Sequence, residues 1–556
     1  MYIWTAVSLT LAGTIFWTLR LLTCKRGRDR MYDKPPGPPP LPIVGNVFDF
    51  PRQRPWETFS KWAQDYGKLL SFLASINDLL ELQGMFIFGR PLVILNSLEA
   101  ITDLLIDRSA IYSDRPYFPL LDIVGHLEAN VGFMPYGKEW TALRKVFASG
   151  FSKSNLVAYY DSHRRAVMNV LKNFRQDPSR YEDHFKLHAV QLVIDVTYGI
   201  QVDSIDHHLV NLATRVIGTV ATLVNPLTLI LDPKFLGKIL PRWMGGGMLS
   251  RRIDKWKQEL HEFQTWPYEQ TKSNMARSLL CFCGQESGAH KPSFTSHLLQ
   301  EFEGKAADAE EEKMIRQGAA AAYIRYGEYS LRIVKPHLVD SVIVQTSAAA
   351  NTFLLAMLLY PEVQQRAQKE IDSVVGVDRL PDFKDRQYLP YVDALLQEVL
   401  RWHSPTPLAM PHLLRQDDHY RGFHLPAGSI VIGNAWNILH DPSVFSDPFE
   451  FQPERHLYPQ SQEVAEKMEV FDRLPFGFGR RLCPGKAFAE DALWLLFAQF
   501  LAVFNVLLDS EHPPAKAEFT SGPLSHAIPF HCKVMARSEE AKLLLEQDPG
   551  LSEQVF

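Results

Sequence analysis

The segment Phe476–Gly485, which reads FGFGRRLCPG, constrains the fold more than any other part of the chain. Its glycines let the backbone pass close to a flat ligand, because glycine has no side chain. Arg480 and Arg481 bring positive charge near Cys483, and a helical pattern begins at Lys486. Positive charge, backbone N–H groups and a helix N-terminus all favour a thiolate over a thiol. The segment therefore predicts a loop that presents Cys483 as a thiolate ligand for iron.

Composition narrows the class of protein. The chain has 556 residues, of which 46% are hydrophobic, so a large core can form. The formal net charge of −5 argues against a nucleic-acid-binding protein, which usually carries a basic excess. Five cysteines in so long a chain do not make a disulfide framework, and a reducing compartment is expected for the main domain.

The cysteine segment meets every fixed position of the pattern FxxGxRxCxG, at Phe476, Gly479, Arg481, Cys483 and Gly485. Alone, a cysteine in a Gly-rich loop is more often structural or incidental. The whole pattern resembles the heme-binding loop of the cytochrome P-450 superfamily. The resemblance implies a mainly α fold with small β-sheets, heme b (iron protoporphyrin IX) as the cofactor, and Cys483 as the axial ligand of the heme iron.

Three further stretches resemble fungal microsomal members of that superfamily, of the O-methylsterigmatocystin oxidoreductase type. They read RSAIYSDRP, FLLAMLLYPEVQ and NAWNILHDP, and they begin at Arg108, Phe353 and Asn434. This finer resemblance implies a microsomal enzyme of secondary or xenobiotic metabolism.

Glu398 and Arg401 match the family's ExxR helix, and residues three apart share a helix face, so the two can pair. Arg455, in the segment FQPERH, resembles the arginine that joins them, although His456 stands where the family usually has phenylalanine. An isolated ExxR is more often a solvated surface pair. In this order before Cys483, we expect a buried structural triad of Glu398, Arg401 and Arg455.

The resemblance also implies contacts to the heme propionates. Trp140 and Arg144 match the family's WxxxR helix, and His412 and Arg481 match two further propionate contacts. Cationic side chains form charge-assisted hydrogen bonds with carboxylates. For His412, an ordinary polar residue remains the alternative.

The N-terminus differs from the rest of the chain because Ile3–Leu19 is uncharged and apolar, and a basic cluster follows it. This pattern predicts a transmembrane anchor at 1–24, and the basic cluster places the catalytic domain in the cytosol. The alternative is a cleaved signal peptide, which the missing N-terminal positive charge disfavours. A basic, proline-rich linker follows at 25–43, then one heme domain at 44–536 and a C-terminal tail at 537–556. We expect a single-pass protein of the endoplasmic reticulum membrane.

Periodicity predicts helices and a few short strands within the heme domain. Apolar stripes at helical spacing favour helices at Pro361–Val375, Leu389–Trp402 and Lys486–Val506. Apolar runs rich in β-branched residues favour strands at Pro91–Leu95 and Ser429–Ile432.

One helix departs from the family's pattern. The family's central helix carries an acid and an alcohol that deliver protons to bound oxygen, and its register places them at Val344 and Gln345. Neither side chain can do this, and the nearest hydroxyl, Thr346, is one position out of register. The segment Arg325–Gln345 contains the helix breaker Pro336 and several basic residues. We interpret it as an insertion, such as an unspliced intron or gene-model error, that loops out of the helix.

Three functions stay open at this point. The leading hypothesis is a monooxygenase that inserts oxygen from O2 into a lipophilic substrate, with electrons from an NADPH-dependent flavoprotein reductase and cytochrome b5 as an optional second donor. The second is a membrane-bound heme protein without oxygenase turnover, because the acid–alcohol pair is interrupted at 325–345. The third is a heme-thiolate isomerase or dehydratase, which needs no such pair.

Overall fold

The structure is a computed structural model. It describes residues 35–41, 45–46, 48–70, 82–87, 90–125, 131–151, 153–223, 246–280, 293–296, 344–457, 468–522 and 524–546. The α-helices of this part are α1 (Pro55–Leu70), α2 (Leu98–Ile101), α3 (Ser109–Tyr112), α4 (Pro119–Val124), α5 (Lys138–Gly150), α6 (Lys153–Leu156), α7 (Tyr160–Gln176), α8 (Tyr181–Tyr198), α9 (His208–Leu223), α10 (Gly246–Leu280), α11 (Val344–Leu359), α12 (Pro361–Val374), α13 (Pro390–Trp402), α14 (Ala435–Leu439), α15 (Lys486–Val503) and α16 (Glu539–Leu543).

The strands of the described part are fewer and mostly shorter than its helices. They are β1 (Leu82–Ile87), β2 (Arg90–Leu95), β3 (His412–Leu413), β4 (Asp418–Tyr420), β5 (Phe423–Leu425), β6 (Ile430–Gly433), β7 (Phe504–Leu508) and β8 (Cys532–Ala536). The predicted fold class, mainly α with small sheets, is confirmed for the described part of the chain.

The residues divide into two compact units. The first unit consists of the chain up to Asp114 together with Pro411–Asn437. The second unit consists of Arg115–Met410 and the chain from Ile438 onward. The first unit contains a four-stranded sheet of order β1-β2-β6-β3 and the small hairpin β4-β5. Strands β2 and β6 pair in parallel, with Leu92 opposite Ile430. Both predicted strands are therefore present, each within one residue of its expected bounds.

The core of the second unit is built around α11 and α15. Helix α11 packs against α8, α13 and α15. The rings of Phe353 and Phe497 stack between α11 and α15, with centroids 4.0 Å apart and an interplanar angle of 9°. Both helices bury side chains on every side, as helices in the middle of a large core do. This packing holds α11 against the helix that begins directly after the cysteine segment.

Two predicted boundaries were wrong. Helix α15 ends at Val503, not at Val506, because Phe504–Leu508 pairs with β8 as a strand in which Phe504 and Val506 are buried. The predicted tail at 537–556 begins inside the folded unit, since α16 lies there and Leu545 is buried in the main core.

The anchor predicted at 1–24 and most of the linker at 25–43 lie outside the described residues. Within the linker, residues 35–40 form neither helix nor strand, as the prolines predict. No helix of the described part has both the length and the apolar character that crossing a membrane requires.

Candidate active site

The cysteine loop, residues 474–485, is shaped by its glycines. Gly477 and Gly479 have φ angles of +92° and +50°, a region that side-chain-bearing residues rarely adopt. The backbone N–H of Cys483 donates to the carbonyl oxygen of Phe476 at 2.9 Å, which closes the loop. Helix α15 then begins at Lys486. Cys483 is therefore held immediately before the N-terminus of a long helix, as the sequence predicted.

A pocket lies beside the cysteine loop, within the second unit. Cys483 and Gly485 form part of its wall, and Thr346 and Ala349 of α11 form another part. The rest of the described wall is mainly apolar and includes Phe147, Phe151, Leu400, Phe476 and Leu493. No acidic or basic side chain belongs to this described wall. One sulfur donor in an apolar pocket fits a flat, apolar iron cofactor such as heme, which cysteine thiolates hold in this way.

Three of the predicted propionate contacts lie together next to the cysteine loop. The guanidinium of Arg481 is buried, donates to the carbonyl oxygen of Val131 at 3.1 Å and lies 4.5 Å from the ring centroid of Trp140. The indole N–H of Trp140 donates to the same carbonyl at 3.2 Å. Arg144 donates to the carbonyl oxygen of Leu482 at 2.6 Å. Their contact with propionates remains a prediction, because the described cavity wall does not include these three residues.

The fourth predicted contact, His412, belongs to the other compact unit. It opens strand β3 and is buried, with its Nδ1 atom 2.8 Å from the carbonyl oxygen of Tyr112. This bond fixes the orientation of the imidazole within its own unit. Its role toward the cofactor stays a prediction.

The structure brings Glu398, Arg401 and Arg455 together. Arg401 donates to the two carboxylate oxygens of Glu398, at 2.6 Å from Nε and at 2.8 Å from Nη2. Arg455 Nε lies 3.2 Å from Glu398 Oε1, and the backbone N–H of Gln452 donates to the same oxygen at 2.9 Å. The side chains of Glu398 and Arg401 are 0% and 2% exposed, so this is a buried cluster and not a solvated surface pair.

The cluster has a member that sequence reasoning did not include. His456 Nε2 lies 2.9 Å from Glu398 Oε2, and only 6% of the imidazole is exposed. The sequence did contain a signal for this contact. His456 is a polar residue where the resemblance expects phenylalanine, in the segment predicted to contact a buried carboxylate. Burial by itself raises the pKa of Glu398, but the charge of Arg401 and the hydrogen bonds from Arg401 and His456 outweigh it and lower this pKa to about 2.

Of the helix predicted to be interrupted, the structure describes the C-terminal part, α11. Thr346 is buried on α11, and both Thr346 and Gln345 line the cavity with Cys483. The predicted loop Arg325–Gln345 was too long at this end, because Val344 and Gln345 already belong to α11. Neither residue breaks a helix, and Pro336 is eight residues away from Val344, so the helix can extend this far. The rest of the segment, and the helical flank predicted before it, lie outside the described residues.

Comparisons with known proteins agree with the family resemblance of the sequence. A sequence model of the cytochrome P450 family matches residues 35–319 and 343–534 of the chain. Cytochrome P450 monooxygenase 208 of Postia placenta is 32% identical over 92% of this chain and 92% of its own length. Tryptamine 4-monooxygenase of Psilocybe cyanescens is 32% identical over 96% of this chain and 98% of its own length.

Solved structures show the same fold. A zebra fish cytochrome P450 with progesterone has a TM-score of 0.64 at 20% identity, and the match covers 87% of this chain and 99% of that one. The similarity to the O-methylsterigmatocystin oxidoreductase type stays a prediction. The family match also lacks residues between 319 and 343, which coincides with most of the segment interpreted as an insertion.

Proposed function

Because the chain belongs to the cytochrome P450 family, whose members are oxygen-incorporating oxidoreductases with heme b, we propose that it inserts one oxygen atom into a neutral, lipophilic organic substrate. The observation that carries this proposal is the apolar cavity that Cys483 and Thr346 line together. Tryptamine 4-monooxygenase, a relative, is named for an amine substrate. In this chain the described cavity wall offers no carboxylate to such a cation, so a neutral substrate fits better.

We assign the cofactor contacts residue by residue. Cys483 would supply the thiolate that holds the heme iron, and Phe476, Gly479 and Gly485 would shape the loop around it. Arg481, Trp140, Arg144 and His412 are the proposed donors to the propionates. When bound, the heme supplies oxygen activation, with the thiolate pushing electron density to favour O–O cleavage. An apolar wall offers water few hydrogen-bond partners, which disfavours water in this site.

The proton supply of this chain differs from the family's pattern. Thr346 and Thr406 both line the described cavity. Of the two, Thr346 lies on α11, the helix next to the family's acid–alcohol position, and we propose it as the proton-relaying alcohol. Its neighbours toward the N-terminus, Val344 and Gln345, cannot replace the family's acid. The lack of an acidic side chain at these two positions favours a second candidate function, a heme protein with little oxygenase turnover. It leaves the isomerase or dehydratase alternative open as well.

The redox partner and the location are also proposals. The family implies a redox partner, and we propose an NADPH-dependent flavoprotein reductase, with cytochrome b5 as an optional second donor. The sequence of residues 1–24 supports a single-pass anchor in the endoplasmic reticulum membrane with the catalytic domain in the cytosol. Secondary or xenobiotic metabolism is the setting that the finer resemblance suggests.

Substitution of the ligand tests the central assignment. We expect Cys483→Ser to abolish the red-shifted Soret band of the reduced carbon-monoxide complex, because a serine hydroxyl is a poor substitute for thiolate. Cys532→Ser is the matched control. Burial raises the pKa of the Cys532 thiol to about 12, and this residue lies on β8, away from the cysteine loop in sequence. Persistence of the band in Cys483→Ser would show that the ligand is another residue.

A further inference from the structure

The hairpin β4-β5 of the first unit carries two histidines directly opposite each other. His419 pairs with His424 across the antiparallel strands, and the two-residue turn Arg421–Gly422 joins the strands. Both turn residues have positive φ angles, +49° and +82°. Such turns match the twist of a hairpin and fix its register. The register therefore places the two imidazoles side by side on one face of the hairpin.

The backbone hydrogen bonds of His419 show that this pair is of the close type. Its carbonyl oxygen accepts from Arg108 at 3.0 Å and its N–H donates to the carboxylate of Asp418 at 2.8 Å, so both groups bond away from β5. Opposite residues of this kind lie nearer each other than hydrogen-bonded pairs do. Asp418 also accepts from Arg108 and from the hydroxyl of Tyr112, each at 2.9 Å. Strand β4 thus presents His419 from a well-held backbone.

The separation of the two rings suits two ligands of one metal ion. The centroids of His419 and His424 are 5.0 Å apart, and the ring planes meet at 40°. An imidazole nitrogen binds Zn²⁺ at about 2.0–2.1 Å, which puts the ion roughly 3.2 Å from the ring centroid. Two imidazoles on one tetrahedral or octahedral ion therefore have centroids about 4.5–5.2 Å apart. The observed separation lies in this range, so one ion can bind both side chains without a change of backbone.

Asp417 supplies the outer partner that metal-binding histidines usually have. Its Oδ2 atom accepts from Nε2 of His424 at 3.3 Å, and its Oδ1 atom accepts from the backbone N–H of Ala427 at 2.7 Å. Because a carboxylate only accepts, Nε2 of His424 carries a hydrogen, and the lone pair of the neutral ring is on Nδ1. A carboxylate placed in this way orients the imidazole and makes its other nitrogen a stronger ligand.

A second histidine pair, in the other unit, has similar chemistry but a different geometry. His512 also lies beside a carboxylate, with Nδ1 2.7 Å from Oδ2 of Asp509. Its ring stacks on that of His531, with centroids 3.7 Å apart and planes only 12° from parallel. This separation is below the range expected for two ligands of one ion. The stacked pair therefore serves as a natural comparison for the pair on the hairpin.

We propose that His419 and His424 together bind one divalent transition-metal ion that favours imidazole, represented here by Zn²⁺. Water completes the coordination of the ion, and Asp417 is a positioning residue that orients His424. A bound ion links β4 to β5 and stabilises the hairpin by mass action. None of these three residues belongs to the described wall of the pocket beside Cys483, so the inference does not depend on the proposed function.

The test is a calorimetric titration of the heme-loaded full-length protein with Zn²⁺ at about pH 7.5, where histidine ligands are mostly neutral. We expect His419→Ala and His424→Ala each to bind one ion fewer than the unsubstituted protein. Asp417→Asn should bind the same number of ions as the unsubstituted protein, one of them about tenfold more weakly, because it loses only the outer partner.

The controls separate this site from ordinary surface histidines. His512→Ala, at the stacked pair, and His261→Gln, at an exposed histidine of α10, should bind as many ions as the unsubstituted protein. The double variant His419→Ala/His424→Ala should lose the same single ion as either single variant, since both side chains serve one site. Loss of two ions in the double variant, or an unchanged number in either single variant, would overturn the proposal. The red-shifted carbon-monoxide band should be the same in all these variants, so this test and that of the heme-thiolate assignment can fail separately.

Discussion

At the scale of single residues, the carboxylate of Glu398 is the most heavily bonded group of the described chain around the proposed site. Five N–H groups of the described residues donate to its two oxygens, from Arg401, Gln452, Arg455 and His456. None of its surface reaches solvent. Removing the carboxylate therefore leaves the buried guanidinium of Arg401 without its counter-charge.

We expect Glu398→Ala to destabilise the protein by about 3–5 kcal/mol, the usual result of breaking a buried ion pair from one side. The purified variant should contain little heme and should aggregate. Heme content per chain and elution volume on size-exclusion chromatography measure both effects. Glu362→Ala, at an exposed carboxylate in the first turn of α12, is the control and should behave like the unsubstituted protein. Normal heme incorporation in Glu398→Ala would contradict the structural role.

How far sequence predicts such a cluster depends on how local its contacts are. The pairing of Glu398 with Arg401 follows from helical spacing, and the loop around Cys483 follows from its glycines and from the helix after it. The contribution of Gln452 could not be predicted, and that of His456 was signalled only by its departure from the resemblance. Both depend on where the turn Pro453–His456 folds back against a helix that precedes it by some fifty residues. Tertiary position of that kind leaves no periodic signal.

At the scale of elements, the strongly periodic segments were predicted well and the boundaries less well. Helix α13 begins one residue after its predicted start and ends as predicted, at Trp402. Helix α15 ends three residues before its predicted end. Pairing with strand β8 sets this end, and β8 is distant in sequence. A continuous apolar run cannot by itself distinguish the end of a buried helix from the start of a strand.

The insertion that the sequence predicts before α11 leads to a prediction at this scale. We expect replacement of residues 325–345 by a short helical stretch that ends in an acid and a threonine to raise coupled product formation severalfold, since general-acid groups typically contribute about 10²–10⁴-fold. The ratio of hydroxylated product to NADPH consumed, together with hydrogen peroxide released, measures coupling. A stretch of the same length that ends in alanines is the control. Equal coupling in both variants would mean that Thr346 suffices without the added acid and threonine.

At the scale of the whole molecule, two buried histidines make stability depend on pH. His163 of α7 and His188 of α8 are each 1% exposed. Burial lowers the pKa of His163 to about 3 and that of His188 to about 4. In the unfolded chain a histidine titrates near pH 6.5. Below that pH the unfolded state binds more protons than the folded state, so acid favours unfolding.

We therefore expect the urea midpoint to be nearly constant above about pH 7 and to fall steadily below about pH 6, with a loss of up to about 1.4 kcal/mol per pH unit for each histidine. The variant His163→Leu/His188→Leu should lose much of this acid sensitivity, whatever its stability at neutral pH. Exposed His261 again supplies the control, as His261→Gln. An unchanged dependence of the midpoint on pH in the double variant would assign acid unfolding to other groups.

The parallel pairing of β2 with β6 has a consequence for synthesis on the ribosome. Leu95 and Ile430 belong to adjacent strands, although the ribosome makes more than three hundred residues between them. At about 5–20 residues per second, the nascent chain waits on the order of 15–70 s before β6 can emerge. Throughout that interval the edge of β2 has no partner strand, and open strand edges invite pairing between chains. The sheet of the first unit is thus begun early but completed late, and we expect its open strand edge to need protection by chaperones during translation.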